Sequence, residues 1–145
     1  MADTTKTSSL VTSVTARNIA TGMFALYASY TDTATPSASH VYLMVPLHSG
    51  VTVLGGWVSA VFAGGSFSMD LMVGPIDNKS LFLAATEVIS GKAVQLNQNL
   101  PHLVTLTDSD SFPLMKPLAV TIAVCASGTI ATTPVYSLMV YLQNS

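Results

Sequence analysis

Charge is what this chain has least of: 8% of its 145 residues are Asp, Glu, Lys or Arg, against about 25% in an ordinary soluble domain. The deficit is regional, since residues 33–69 and residues 117–145 contain none at all. A formal net charge of −2 gives little repulsion between copies. A surface of this composition is expected to be covered in part by other protein. Lys6, Arg17, Lys79, Lys92 and Lys116 are the whole basic complement. They are too few and too dispersed for the clustered phosphate contacts that nucleic acid requires.

Other absences narrow the reading further. Cys125 is the only cysteine, so no internal disulfide can close, which fits a chain that folds in a reducing cytoplasm. The N-terminus lacks a basic stretch followed by an apolar core, so no secretory signal is expected. The longest apolar run, residues 51–67, is broken by Thr52, Gly55, Gly56, Ser59, Gly64, Gly65 and Ser66. It falls short of the roughly 20 apolar residues of a spanning helix. The five Tyr and one Trp are scattered rather than gathered into the girdles of a membrane barrel. No membrane partner is expected.

Candidate chemistry is equally thin. Asp108-Ser109-Asp110 alternates acidic residues as a calcium loop does, but the following Ser111-Phe112-Pro113-Leu114-Met115-Lys116 supplies no further oxygen ligands, central Gly or closing Glu. A solvated loop is the expectation there. His40, His48 and His102 form no ligand spacing, and neither Ser49 nor Cys125 sits in a nucleophile motif. Cys125 reads as a buried, inert thiol in a strand. Gly55-Gly56 and Gly64-Gly65 precede no helix and cradle no phosphate. No catalytic residue, cofactor or metal site is expected, and the chain does not read as an enzyme.

What is present is strand pattern. Phe24, Leu26, Ala28 and Tyr30 alternate with Ala25, Tyr27 and Ser29, a period of two. Val41 to Val45 follows, closed by Pro46, with Ser49-Gly50 as a turn. The next strand contains Gly55-Gly56, a pair that points to a bulge or bend. Trp57 and Phe67 are expected in the core. Met69, Leu71 and Val73 share a face. Asp77 or Asn78 could cap one short helix over Leu81 to Ala85. Val120, Ile122 and Val124, then Tyr136, Leu138, Val140 and Leu142, mark two strong final strands. Seven to nine short strands with turn signals every eight to twelve residues argue for an all-β, antiparallel β-sandwich, jelly-roll-like, with at most one short helix.

Residues 1–21 differ. They are rich in Ser and Thr and cannot bury enough apolar area to fold alone. They read as an extended N-terminal arm preceding a single domain over residues 22–145. Leu10, Val11, Val14 and Ile19 are the arm's candidate assembly residues, and the arm is expected to join neighbours while adding little to its own fold. The uncharged stretches, residues 41–62 and 117–142, are expected to form the contacts of a homo-oligomer.

Residues 42–74 carry a resemblance. Val45-Pro46-Leu47-His48-Ser49-Gly50 is followed by Val51-Thr52-Val53-Leu54-Gly55-Gly56, a second strand, Gly64-Gly65-Ser66, and Asp70-Leu71-Met72-Val73-Gly74. Gly91, Val94 and Leu96 then stand in a Gly-x-Val-x-Leu strand with one extra residue. This resembles small structural proteins of tailed-phage virions. The resemblance implies a virion component: a capsid decoration (cement) protein, often a trimer, bound to a major capsid or other virion protein. A receptor- or glycan-binding module of a tail fibre or spike is the alternative, and a small-molecule carrier a third possibility.

Overall fold

A computed structural model describes residues 5–7, 22–33, 36–62, 68–105, 116–125 and 134–144. Ten strands are found there: β1 (Thr5–Thr7), β2 (Gly22–Thr31), β3 (Val41–Leu47), β4 (Val51–Val61), β5 (Met69–Pro75), β6 (Leu83–Val88), β7 (Val94–Gln95), β8 (His102–Leu103), β9 (Lys116–Cys125) and β10 (Val135–Asn144). No helix occurs among the described residues.

The pairing is nested. β5 pairs with β6, β4 with β7 and β8, β3 with β9, and β2 with β10, all antiparallel. The chain therefore runs as one long double ribbon whose tip is the β5–β6 hairpin. Rolled up, the ribbon gives two sheets, β1-β3-β9-β5-β6 and β2-β10-β4-β7, with β8 also on β4. This is the jelly-roll order, and it confirms the antiparallel sandwich read from the turn spacing.

Between the sheets lies one core. Tyr42, Met44, Val45 and Leu47 of β3 meet Leu118, Val120 and Ile122 of β9 and Met69, Leu71 and Val73 of β5. Val53, Val58 and Ala60 of β4 and Tyr136, Leu138, Val140 and Leu142 of β10 close it from the other sheet. On β5, β9 and β10 these are alternate positions, as the pleat requires; on β3 the register shift between Leu43 and Val45 puts the neighbours Met44 and Val45 both in the core. β3 is buried at every position. Val41 and Leu43 point away from the sandwich and form a second small cluster with Ala119 and Ile76. That face of the β3–β9 pair is therefore covered as well.

The Gly55-Gly56 bulge is present. Gly55 stands opposite Tyr141 and Val53 opposite Leu142, leaving Leu54 as the extra residue. Gly56 is required by proximity: a Cβ there would lie 2.1 Å from the Met139 carbonyl oxygen. At Gly74 a Cβ would meet the Asn78 carbonyl oxygen, also at 2.1 Å. That close approach comes from the turn after β5, where the Asn78 N–H donates to the Pro75 carbonyl at 2.9 Å.

Three local expectations are corrected. The short helix after Asp77 does not form; Leu83–Val88 is β6, paired with β5. Five residues hold a helix poorly, whereas the open edge of β5 offers a ladder of backbone partners. Trp57 is not in the core but half-buried on the outside, because Val58 and Ala60 take the inward positions of β4. Val124 is also outside, 53% exposed. A register shift places Asp70 opposite Val124 and Leu71 opposite Ile122, so Ala123 is the extra residue and the alternation flips there. Phe67 lies outside the described residues.

Candidate functional site

The outer face of the sheet built on β2, β10 and β4 carries no charged residue in its paired rows. Pairing registers lay its side chains out as rows: Met23, Gln143, Thr52, Leu103; Ala25, Tyr141, Gly55; Tyr27, Met139, Trp57, Gln95; Ser29, Ser137, Ser59; Thr31, Val135, Val61. None of these is Asp, Glu, Lys or Arg. Several are large and apolar yet open to solvent, with Met23 at 74%, Leu103 at 55%, Val61 at 53%, Tyr27 at 50% and Tyr141 at 44% exposure. Isolated exposed apolar residues mean little. Here they share one face, whereas on the outward side of the opposite β3–β9 pair Val41 and Leu43 are buried and Val124 is the large apolar residue left open.

Its size is that of a functional patch. Three strands of ten or eleven residues, about 4.8 Å apart and about 33 Å long, cover roughly 480 Å² of flat area. That is within the range of the largest, often functional, apolar patch on a monomer and below the roughly 800 Å² per partner of a stable interface. The composition also matches an interface core, where Tyr, Trp and Met are enriched and charge is depleted. The centre is stiffened by local contacts. The Tyr27 and Trp57 rings lie 6.1 Å apart with planes tilted by 52°, and the Tyr27 hydroxyl donates to Ser137 Oγ at 3.1 Å.

A second constellation lies at the other end of the chain order. Lys6 of β1 places Nζ 2.6 Å from Oδ1 of Asp32, which is completely buried. The Tyr42 hydroxyl donates to the other carboxylate oxygen, and the Tyr42 and Tyr136 hydroxyls are 3.4 Å apart. Their rings stack at 4.3 Å between centroids, with Tyr30 at 5.6 Å from Tyr42. Burial first, then the hydrogen bond to Asp32, pushes the Tyr42 phenol far above its ordinary range. Tyr42 therefore stays a neutral donor, and Lys6 supplies the charge that Asp32 needs inside the protein.

Of the residues singled out in sequence, Leu10, Val11, Val14 and Ile19 lie outside the described residues, as does the Asp108–Asp110 loop. Within residues 1–21 the structure describes β1, which pairs in parallel with β3, Thr5 opposite Val41 and Thr7 opposite Leu43. The histidines do not converge on one site: His40 is buried beside β3, and the His102 ring meets Phe82 edge-on at 5.4 Å. Among the described residues no three His, Cys, Asp or Glu side chains could share a metal ion. Sequence reasoning missed the Lys6–Asp32 pair. Its one signal was position, since Asp32 is the last charged residue before the uncharged stretch.

No protein-family model matches the chain, and no curated protein matches it in sequence. Solved structures do. The fold superposes on a chain of the cyanophage Pam1 capsid asymmetric unit with a TM-score of 0.69 at 16% identity, over 91% of this chain and 93% of that one. It superposes on a chain of the capsid of Ralstonia phage GP4 with a TM-score of 0.63 at 17% identity, over 99% of each. At such identities the likeness is one of fold, and it spans more than nine-tenths of each chain.

Proposed function

We propose that this chain is a non-enzymatic structural component of a phage virion, a capsid decoration (cement) protein that binds and stabilises the shell. It acts as a homo-oligomer, a trimer in the simplest arrangement, seated on a major capsid or other virion protein. The observation that carries the reading is the uncharged outer face of β2, β10 and β4, joined to a fold shared over more than nine-tenths of their length with chains of two phage capsids. Cementing a shell needs area and complementarity rather than chemistry. Many modest contacts repeated around a lattice add through effective concentration, so no single contact has to be strong. Residues 1–21, with Leu10, Val11, Val14 and Ile19, remain the proposed attachment arm. The test is electron microscopy of the particle with which the protein copurifies. Copies at regular positions on the shell support the reading, and copies confined to a tail or found free of any particle refute it.

One observation favours a second reading. Trp57 and Tyr27 form an aromatic pair on an open face beside Ser29, Ser59, Ser137 and Gln95. Flat rings beside neutral hydroxyl and amide groups suit a glycan, so a receptor- or glycan-binding module of a fibre or spike is the alternative. Quenching of Trp57 fluorescence by neutral oligosaccharides, with no affinity for shells, would favour it.

A further inference from the structure

β1 is held differently from every other strand. Its sequence, Thr5-Lys6-Thr7, brings no apolar side chain, and Thr5 is exposed. What fixes it is the parallel ladder to Val41, Tyr42 and Leu43 and the ion pair from Lys6 to Asp32. The receiving side, by contrast, is built into the sandwich. Asp32 is completely buried, its second oxygen is engaged by Tyr42, and its N–H donates to the Pro134 carbonyl at 2.9 Å. The edge of β3 and this carboxylate make a slot for one extended strand with a cation at its middle residue. A β-edge beside a buried carboxylate is costly to leave open.

We propose that on the assembled shell this slot receives β1 of a neighbouring copy, so that copies are linked by strand exchange. The inference rests on the assembly reading above and names its linkage. Fourteen residues, 8–21, separate β1 from β2, and fully extended they reach about 50 Å. A 145-residue domain is only about 40 Å across, so the strand can reach an adjacent copy's slot. A second copy is the fitting donor because it carries the same Thr-Lys-Thr in the same register. Exchange then remakes every bond at every slot, and the packing density of copies decides between own and foreign strand. The slot also gives the exchange its specificity, since a strand without a central cation would lose the ion pair that Lys6 makes with Asp32.

The experiment uses the full chain. Thr5 stands opposite Val41, so Thr5→Cys with Val41→Cys, in a Cys125→Ser background, places a disulfide across the β1–β3 ladder. Assembled protein is oxidised and run without reductant. Exchange predicts a ladder at multiples of the 15.1 kDa chain that collapses on reduction; a single band with the disulfide closed within the chain overturns it. If the pair fails to oxidise, Lys6→Ala (strand disabled, slot intact) is mixed with Asp32→Ala (slot disabled, strand intact). Exchange predicts a mixed oligomer that melts several degrees above either variant alone, and no gain on mixing overturns it. Shell binding by protein linked only within chains would sink the exchange while leaving decoration standing. Interchain links without shell binding would do the reverse.

Discussion

Tyr27 and Trp57 stand on either side of Met139 in one cross-strand row, and their rings meet 6.1 Å apart on the outside of the sandwich. Aromatic side chains on an uncharged sheet face contribute more to association than to the fold that carries them. Trp57→Ala is therefore expected to cost only about 1–2 kcal/mol, the worth of a half-buried ring and one aromatic pair. Tyr141→Glu on the same face should leave the melting midpoint within a few degrees and abolish self-association in sedimentation equilibrium. A loss of about 3–5 kcal/mol for Trp57→Ala would return the ring to the core.

Gly56→Ala is expected to be far more damaging than its size suggests. The new methyl would sit on the Met139 carbonyl of the central strand β10, so β4 must shift away from its ladder. Chemical denaturation should show a loss of at least about 1–3 kcal/mol, the usual cost of overpacking. Gly55→Ala, whose Cβ meets nothing within 4 Å, is the control and should be nearly silent.

The two described ion pairs should differ sharply. Lys6→Ala removes the cation 2.6 Å from the buried Asp32 carboxylate, and breaking such a pair costs about 3–5 kcal/mol. Lys116 meets an Asp77 that is half exposed, at 3.1 Å, and Lys116→Ala should cost less than about 1 kcal/mol. Equal melting shifts for the two variants would contradict the account of the buried cluster. They would instead agree with the expectation that the segment before Gly22 adds little to the fold.

Alkaline pH should weaken the protein through Tyr42. Burial, then the hydrogen bond to Asp32, raises the folded pKa above the ordinary phenol value of 10.0. The stabilisation this group contributes is thus complete below about pH 10 and is lost as pH rises toward the folded value, because only the unfolded chain releases the proton. Urea unfolding between about pH 9 and 11 should show a fall steeper in the parent protein than in Tyr42→Phe, by up to about 1.4 kcal/mol per pH unit above pH 10. Identical slopes would contradict it.

The sandwich was legible because its strands alternate cleanly. Met69, Leu71 and Val73, or Tyr136, Leu138 and Val140, have no second way to bury their apolar face. The Gly pair announced its bulge for a similar reason, since it offers no side chain where β10 passes close. What misled was local: Trp57 is large and apolar, and size suggested the core, but Leu54 as the extra residue sets which side of β4 faces inward. Leu83–Val88 became a strand because β5 needed a partner, which no local pattern states. The Lys6–Asp32 pair joins residues 26 apart, and nothing in either neighbourhood marks the other.

Shell decoration is tested most directly by adding purified protein to capsids assembled without it, then imaging them and following their thermal rupture. The account predicts density for this sandwich at repeated lattice positions and a rupture temperature raised in proportion to occupancy. It also predicts that both effects are lost when residues 1–21 are removed. Capsids that remain bare at saturating protein, or that rupture at an unchanged temperature when fully occupied, would contradict it.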